Sequence, residues 1–290
     1  MRVYGWQWIC ETAACAEKQL AHAVKSASLI APYHFLPLPF QVDVEDYPVK
    51  RLLVHGAAGV SKSYFGRWYA YKRCRTIPGF RALLIRCTYD QLMKNHLQYI
   101  PAEAKALGFK WTGLSGQMAR QAQFDHGDNP EAILFMGYCQ DEGDIAQHVG
   151  PEWDLVLLEE GVTLLPKAIR EISARDRGAM TSRPFREAIG LKGQTRVLTN
   201  PGGRSMLYLN DLYIRKLPDS NEFKNYKPDH YAQIAGEIAD NPYLDEDYEE
   251  TSLGHLDDVR HAQLAAGRWD VFEGQFFSSF NPSIHVIAQP

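Results

Sequence analysis

Four side chains in this sequence have the types and spacing for chemistry on a phosphate group: Lys62, Ser63, Glu159 and Glu160. The first two close the stretch RLLVHGAAGVSKS, in which an apolar run (51–55) meets small residues (56–61) and then a helix-compatible segment. Gly56, Ala57, Ala58, Gly59, Val60 and Ser61 let backbone N–H groups approach an anion. The helix that follows adds free N–H groups and the positive end of its dipole. In that layout Lys62 reaches terminal phosphates and Ser63 is a ligand for Mg²⁺. The spacing G-x-x-x-x-G-K-[ST] is met at Gly56, Lys62 and Ser63 and broken at Ser61, where glycine is expected. The competing reading is a strand-turn-helix junction that binds nothing.

The acids follow an apolar run, Asp154-Leu155-Val156-Leu157-Leu158-Glu159-Glu160. A continuous apolar strand fits a parallel sheet buried on both faces, and ligands of such sheets bind at the carboxyl ends of the strands. Glu159 is then a metal-holding carboxylate, and Glu160 orients or deprotonates the water that attacks a terminal phosphate. Two acids after a strand can equally be a solvated turn. The phosphate-loop pattern upstream favours the catalytic reading.

A further strand (195–199) runs into Asn200-Pro201-Gly202-Gly203. Thr199 and Asn200 would report the terminal phosphate, although Asn-Pro-Gly makes a turn in any case. Upstream, three prolines in 32–41 favour an extended segment ending in Phe40 and Gln41. Phe40 could pack on a base, and the Gln41 amide can both donate to and accept from an adenine edge.

The positioning elements are strands at 51–55, 82–86, 132–136, 154–158 and 195–199, alternating with helices. Thr88 and Gln91 have capping-box spacing, and Pro101 kinks or divides the helix they start. Pro166 and Gly178 bracket another helix. The fold expected is α/β, with a mostly parallel central sheet flanked by helices. The acidic stretch 217–258 carries twelve acids against two basic residues, which marks a domain change near 205–225. The expected division is an N-terminal helical segment (1–34), a core (35–210), a small α-rich lid or linker (211–275) and the start of a further domain (276–290).

A net charge of −4 argues against a protein that coats nucleic acid over its whole surface. Seven basic residues and no acid between 62 and 86 leave room for a local basic face. Eleven basic residues against four acids between 167 and 216 offer a second one. The five scattered cysteines have no metal-binding or disulfide spacing. No run approaches the ~20 apolar residues of a membrane helix, and Glu11 and Glu17 interrupt any signal-peptide core. An intracellular protein is expected.

Taken in order, the segment ending in Phe40-Gln41, GAAGVSKS, LLIRCTYDQL, DIAQHVGPEWDLVLLEE, TRVLTNPGG, DNPYLDEDY and GRWDVFEGQFF resemble the large terminase subunits of tailed bacteriophages. The resemblance covers roughly 35 to 290. It implies a RecA-like P-loop ATPase that uses ATP and Mg²⁺ to drive double-stranded DNA, without regard to its sequence, into an empty capsid. It also implies a portal protein, a small terminase subunit and a homo-oligomeric ring as partners, in the host cytoplasm and away from membranes. Gln41 matches the adenine-reading glutamine and residues 56–63 the phosphate loop. Glu159 stands where the family more often has Asp, and Glu160 where it has the catalytic glutamate. Thr199 and Asn200 match the coupling motif.

Three departures stand out. Ser61 replaces the second glycine, and its Cβ is expected to narrow the loop or slow turnover. Ala58 stands where many relatives carry arginine, so an arginine finger must come from elsewhere: Arg175, Arg177, Arg204 or a neighbouring subunit. The nuclease domain usual in the family would begin near the last residue, and no nuclease activity is expected from these residues. The rival readings are a helicase-like P-loop motor and a degenerate, non-catalytic docking module.

Overall fold

The computed structural model describes residues 37–113, 120–219 and 223–271. The expected N-terminal helical segment (1–34), the GQFF stretch (274–277) and the expected start of a further domain (276–290) lie outside the described residues.

The apolar runs form one sheet of eight strands: β1 Arg51–Gly56, β2 Arg81–Arg86, β3 Lys110–Thr112, β4 Gln121–Phe124, β5 Ala132–Tyr138, β6 Leu155–Glu159, β7 Gln194–Leu198 and β8 Tyr231–Gly236. Their order across the sheet is β3-β4-β5-β2-β6-β7-β1-β8. All neighbours run parallel except β3–β4 and β4–β5. The central strands β6 and β7 are buried along their whole length. Both faces of such strands must be covered, so apolar side chains continue without alternation.

Successive residues feed opposite cores. Leu52, Val54, Leu84, Leu157 and Leu198 pack with Phe65, Trp68 and Tyr69, which lie on helix α2 (Lys62–Thr76) after helix α1 (Pro39–Asp46). Leu53, Leu83, Ile85, Val156, Leu158 and Val197 pack with Ile169, Ile172, Met206 and Leu209 on the other face.

The remaining helices are short. They are α3 Tyr89–Leu92, α4 Ile100–Leu107, α5 Glu142–Ile145, α6 Pro166–Ser173, α7 Arg183–Ala188, α8 Met206–Leu209 and α9 Asp258–Ala265. Thr88 Oγ1 accepts from Gln91 N–H at 3.2 Å, the expected cap. A π-helical turn (Met93–Leu97) separates α3 from α4, and Pro101 sits in the first turn of α4.

Three expectations are corrected. Residues 39–46 are helical, because Pro39 falls in the first turn, where a missing N–H costs nothing. The Gln41 side chain completes that turn by accepting from Leu38 N–H at 2.9 Å. Second, the region expected to form a separate helical lid contributes β8, which pairs with β1 over six residues. Its alternating, half-exposed pattern is that of an edge strand, and the acids around it masked the signal. The third concerns the basic run 62–86. Lys62, Arg67, Lys72 and Arg86 are buried, and their acids come from distant segments. Lys72 pairs with Glu45, Arg67 with Glu103 at 2.9 Å and Arg86 with Glu159 at 3.5 Å. Those four cannot grip DNA. In the second basic region Arg186 and Arg196 are likewise buried, Arg186 against Asp154 at 2.6 Å.

The tightest backbone contact lies where β1 ends. Gly56 has φ +118°, and a Cβ there would lie 2.0 Å from Gly236 O. Gly56→Ala is therefore expected to cost about 3 kcal/mol or more through overpacking and backbone strain. Denaturant unfolding reads this directly, and an unchanged midpoint would contradict the contact.

Candidate functional site

Strand β1 delivers the chain to residues 56–61, and α2 carries it away. Four residues from distant segments hold the backbone of this loop through five hydrogen bonds. Ala57 N–H donates to Gly236 O at 2.9 Å and Ala58 N–H to Leu264 O at 2.7 Å. Asn241 Nδ2 donates to Gly59 O at 2.6 Å. Gln41 Nε2 donates to Val60 O at 3.3 Å and Ser61 O at 3.4 Å. Behind the loop, Trp269 Nε1 donates to His55 Nδ1 at 3.0 Å. The proton of His55 is therefore on Nε2, 2.6 Å from Gln233 Oε1. Burial pushes this histidine down to about 4, so it is neutral.

Lys62 is buried, and its Nζ donates to Ala57 O at 2.7 Å. Burial pushes its pKa down to about 8, against the pull of Glu160 and Glu159. Ser63 Oγ donates to Glu159 Oε2 at 2.7 Å, across the gap between α2 and the tip of β6. Gly66, one turn along α2, makes this approach possible: a Cβ there would lie 2.8 Å from Glu159 Oε1. The expected juxtaposition of Lys62 and Ser63 with the carboxylates after β6 is present.

The two acids differ in environment. Glu159 is 1% exposed, and burial alone would raise its pKa. His96, Arg86 and Ser63 outweigh burial and lower it, so it is a carboxylate. Arg67 Nη1, which can only donate, lies 3.3 Å from His96 Nδ1. The His96 proton is thus on Nε2, facing Glu159 Oε2 at 3.7 Å. Glu160 is about one-third exposed, 3.9 Å from Arg86, and in a left-handed conformation (φ 48°). Burial and the Glu159 charge raise its pKa, while Arg86, Lys62 and the Asn200 N–H oppose the rise. Sequence reasoning missed Arg86 and His96 as parts of this site. The end of β2 next to β6 was the available signal for Arg86; His96 had none.

A cavity of about 550 Å³ opens over the loop. Residues 58–63, Glu160, Thr163, Asn200, Gly202, Arg260 and Leu264 are among its walls. Thr199 is buried, accepting from Val162 N–H at 3.4 Å, and links the β7 turn to the segment after Glu160. Phe40 is buried against Gly236. Both ends of the Gln41 amide are taken by backbone, so neither residue is presented to a base. Of the expected arginine fingers, Arg177 pairs with Glu152 at 3.3 Å and Arg175 O accepts from Trp153 N–H. Both lie at the far end of β6. Arg204 is bound to Thr163 O at 2.6 Å and to Gln140 O. None of the three lines the cavity.

No protein-family model and no curated protein matches this chain. Among solved structures, the fold matches the large terminase of a thermophilic bacteriophage in complex with ADP. The TM-score is 0.60 at 14% identity, over 80% of this chain and 53% of that one. It matches the large terminase ATPase domain of Thermus phage P74-26 with TM-score 0.55 at 17% identity, over 84% and 97%. The HK97 bacteriophage large terminase follows with TM-score 0.51 at 11% identity, over 85% and 55%. This chain thus spans about half the length of the ADP-bound terminase and of the HK97 protein, and nearly all of the P74-26 domain. The fold is the RecA-like one of these ATPase domains. Among the described residues no helix is long and apolar enough to cross a membrane.

The buried ammonium of Lys62 has a testable consequence. Between about pH 8 and 10.5 the unfolded chain binds more protons at this residue than the folded one, so folded stability rises across that window. Below pH 8 the full cost is present. Lys62→Met is expected to stabilise the ligand-free protein by about 2 kcal/mol at pH 7, with the gain fading towards pH 10. Thermal unfolding at several pH values checks it, and a destabilised variant at pH 7 would refute it.

Proposed function

We propose that this chain is the ATP-hydrolysing motor domain of a viral DNA-packaging enzyme of the large terminase type. One observation carries the reading: Lys62, Ser63, Glu160 and Asn200, from three separate strand ends, meet around one cavity, with Glu159 directly behind Ser63. The likeness to the large terminase ATPase domain of phage P74-26 and to a phage large terminase in complex with ADP supports it. In this reading ATP lies over residues 58–63, with its phosphates toward the α2 N-terminus and Lys62. Lys62 exchanges its bond to Ala57 O for phosphate oxygens.

Ser63 and Glu159 would hold Mg²⁺. A hydroxyl and an ionised carboxylate 2.7 Å apart are hard oxygen donors of the kind this ion takes. When bound, the ion neutralises phosphate charge. Glu160, with its raised pKa and partial exposure, accepts the proton of the attacking water. Arg86 steadies both carboxylates, since two adjacent acids without a cation would resist joint ionisation. The Thr199–Asn200 turn relays the state of the site. Adenine reading by Gln41 is not part of this reading; that residue braces the loop instead.

The partners implied are double-stranded DNA held through its phosphates, a portal protein, a small terminase subunit and further copies in a ring, all in the host cytoplasm. DNA contact falls to exposed cations rather than to the buried Lys62, Arg67, Lys72 and Arg86. The runner-up is a docking module that binds no nucleotide.

Purified protein is expected to hydrolyse ATP. Glu160→Gln should lower the rate about 10²- to 10⁴-fold while retaining nucleotide, and Lys62→Ala should weaken nucleotide binding. Hydrolysis surviving both substitutions would reject the site. Absence of any nucleotide binding would favour the docking module.

A further inference from the structure

Lys62 and Arg260 are the two positively charged residues among those lining the cavity. Arg260 comes from α9, in the part of the chain where no chemistry was expected. Its Nη1 donates to Gln263 Oε1 at 2.9 Å. Among the described residues no carboxylate forms an ion pair with its side chain. The other cations near the site are consumed: Arg86 by Glu159 and Glu160, Arg67 by Glu103. Arg260 therefore brings an uncompensated charge and unused N–H donors to a cavity whose loop is built for an anion.

Two contacts tie this arginine and its helix to the loop and the β7 turn of the site. Gly202, in the turn after β7, has φ +98°, and a Cβ there would lie 2.4 Å from Arg260 Nη1. The turn that carries Asn200 thus runs directly beneath the guanidinium. One helical turn beyond Arg260, Leu264 O accepts the Ala58 N–H of the loop at 2.7 Å. Helix α9 touches the phosphate loop, the β7 turn and the cavity at once.

We propose that Arg260 reads the terminal phosphate of a bound nucleoside triphosphate, supplied in cis by α9. The inference rests on the nucleotide reading above and adds a residue and a discrimination to it. A guanidinium binds phosphate oxygens through parallel N–H bonds. A diphosphate lacks the outermost oxygens, so it engages Lys62 and the loop without engaging Arg260. The position of α9 and the Gly202 turn would then depend on which nucleotide is present.

The test is equilibrium titration of the full chain with Mg²⁺ and either a fluorescent ADP or the matching non-hydrolysable ATP analogue. The proteins compared are the wild type, Lys62→Ala, Arg260→Gln and Arg260→Lys. Arg260→Gln is expected to weaken the triphosphate analogue about 10- to 100-fold and ADP much less, with partial recovery in Arg260→Lys. Unchanged circular dichroism confirms that the variants fold. Equal losses for both nucleotides, or no loss for either, would overturn the role of Arg260. If Lys62→Ala loses both nucleotides while Arg260→Gln matches the wild type, only the arginine's role fails. A wild-type chain that binds neither nucleotide overturns the site itself.

Discussion

Gly56 and Gly236 lie so close that no side chain fits between them, and the loop 56–61 begins at that contact. The parallel pairing of β8 with β1 brings Gly236 O to Ala57 N–H. Gly267 closes on the same point from the other side, where a Cβ would come within 2.7 Å of Gly56 Cα. The loop's conformation is thus set by its own residues and by a segment far later in the chain. Asn241 and Leu264 extend the same clamp along the loop. A segment that sequence composition marks as a separate acidic domain is instead a structural wall of the site. The Ala58–Leu264 hydrogen bond, 2.7 Å long, ties α9 directly to the loop.

The second constraint is the placing of two acids at the tip of a buried strand. Burying a carboxylate is costly unless it is paired and hydrogen-bonded. Glu159 meets that demand at Oε2, through Ser63 and Arg86 with His96 3.7 Å away, while its buried Oε1 has no hydrogen-bond partner among the described residues. Glu103, 2.9 Å from Arg67, anchors the arrangement. The chain from Glu103 to Ser63 crosses from α4 through the π-helical turn to α2 and β6, so the irregular turn at Met93–Leu97 has a use: it sets His96 against Glu159. Glu160 has a weaker hold and greater exposure. The two acids differ in the sense the proposed roles require, one held and ionised, the other more accessible and with a raised pKa.

Much of this was legible in the sequence. The five long parallel strands appeared as apolar runs, because a strand buried on both faces has no alternation to hide. Lys62, Ser63, Glu159 and Glu160 could be brought together on paper because loops at the carboxyl ends of parallel strands share one edge. Three things were hidden. β8 is an edge strand with a half-exposed pattern among acids, and β3 and β4 are too short to stand out. The basic run 62–86 read as a surface because its acids, Glu45, Glu103 and Glu159, are remote in sequence. Proline at 39 read as a helix breaker, although at a first turn it breaks nothing. Phe40 and Gln41 lie beside the loop and contact protein, Phe40 against Gly236 and Gln41 through Leu38 N–H and the Val60 and Ser61 carbonyls.

Ser61 shows how a broken motif can leave a loop intact. The residue has φ 57° and ψ 30°, the left-handed conformation that glycine adopts freely. For serine this costs on the order of 1–2 kcal/mol, and such a cost persists only where surroundings over-determine the backbone. They do so here. Its carbonyl accepts from Phe65 N–H at 3.0 Å as well as from Gln41, and its neighbour Gly59 is held by Asn241. The side chain itself is exposed at the cavity wall, with its Oγ 3.5 Å from Asn241 Nδ2. What the usual glycine supplies at this position is a backbone angle, and here the angle is enforced by lashings from α1 and from the segment after β8. The strain is carried at the residue before α2, next to Lys62, and is held there by contacts from distant segments rather than by the loop sequence.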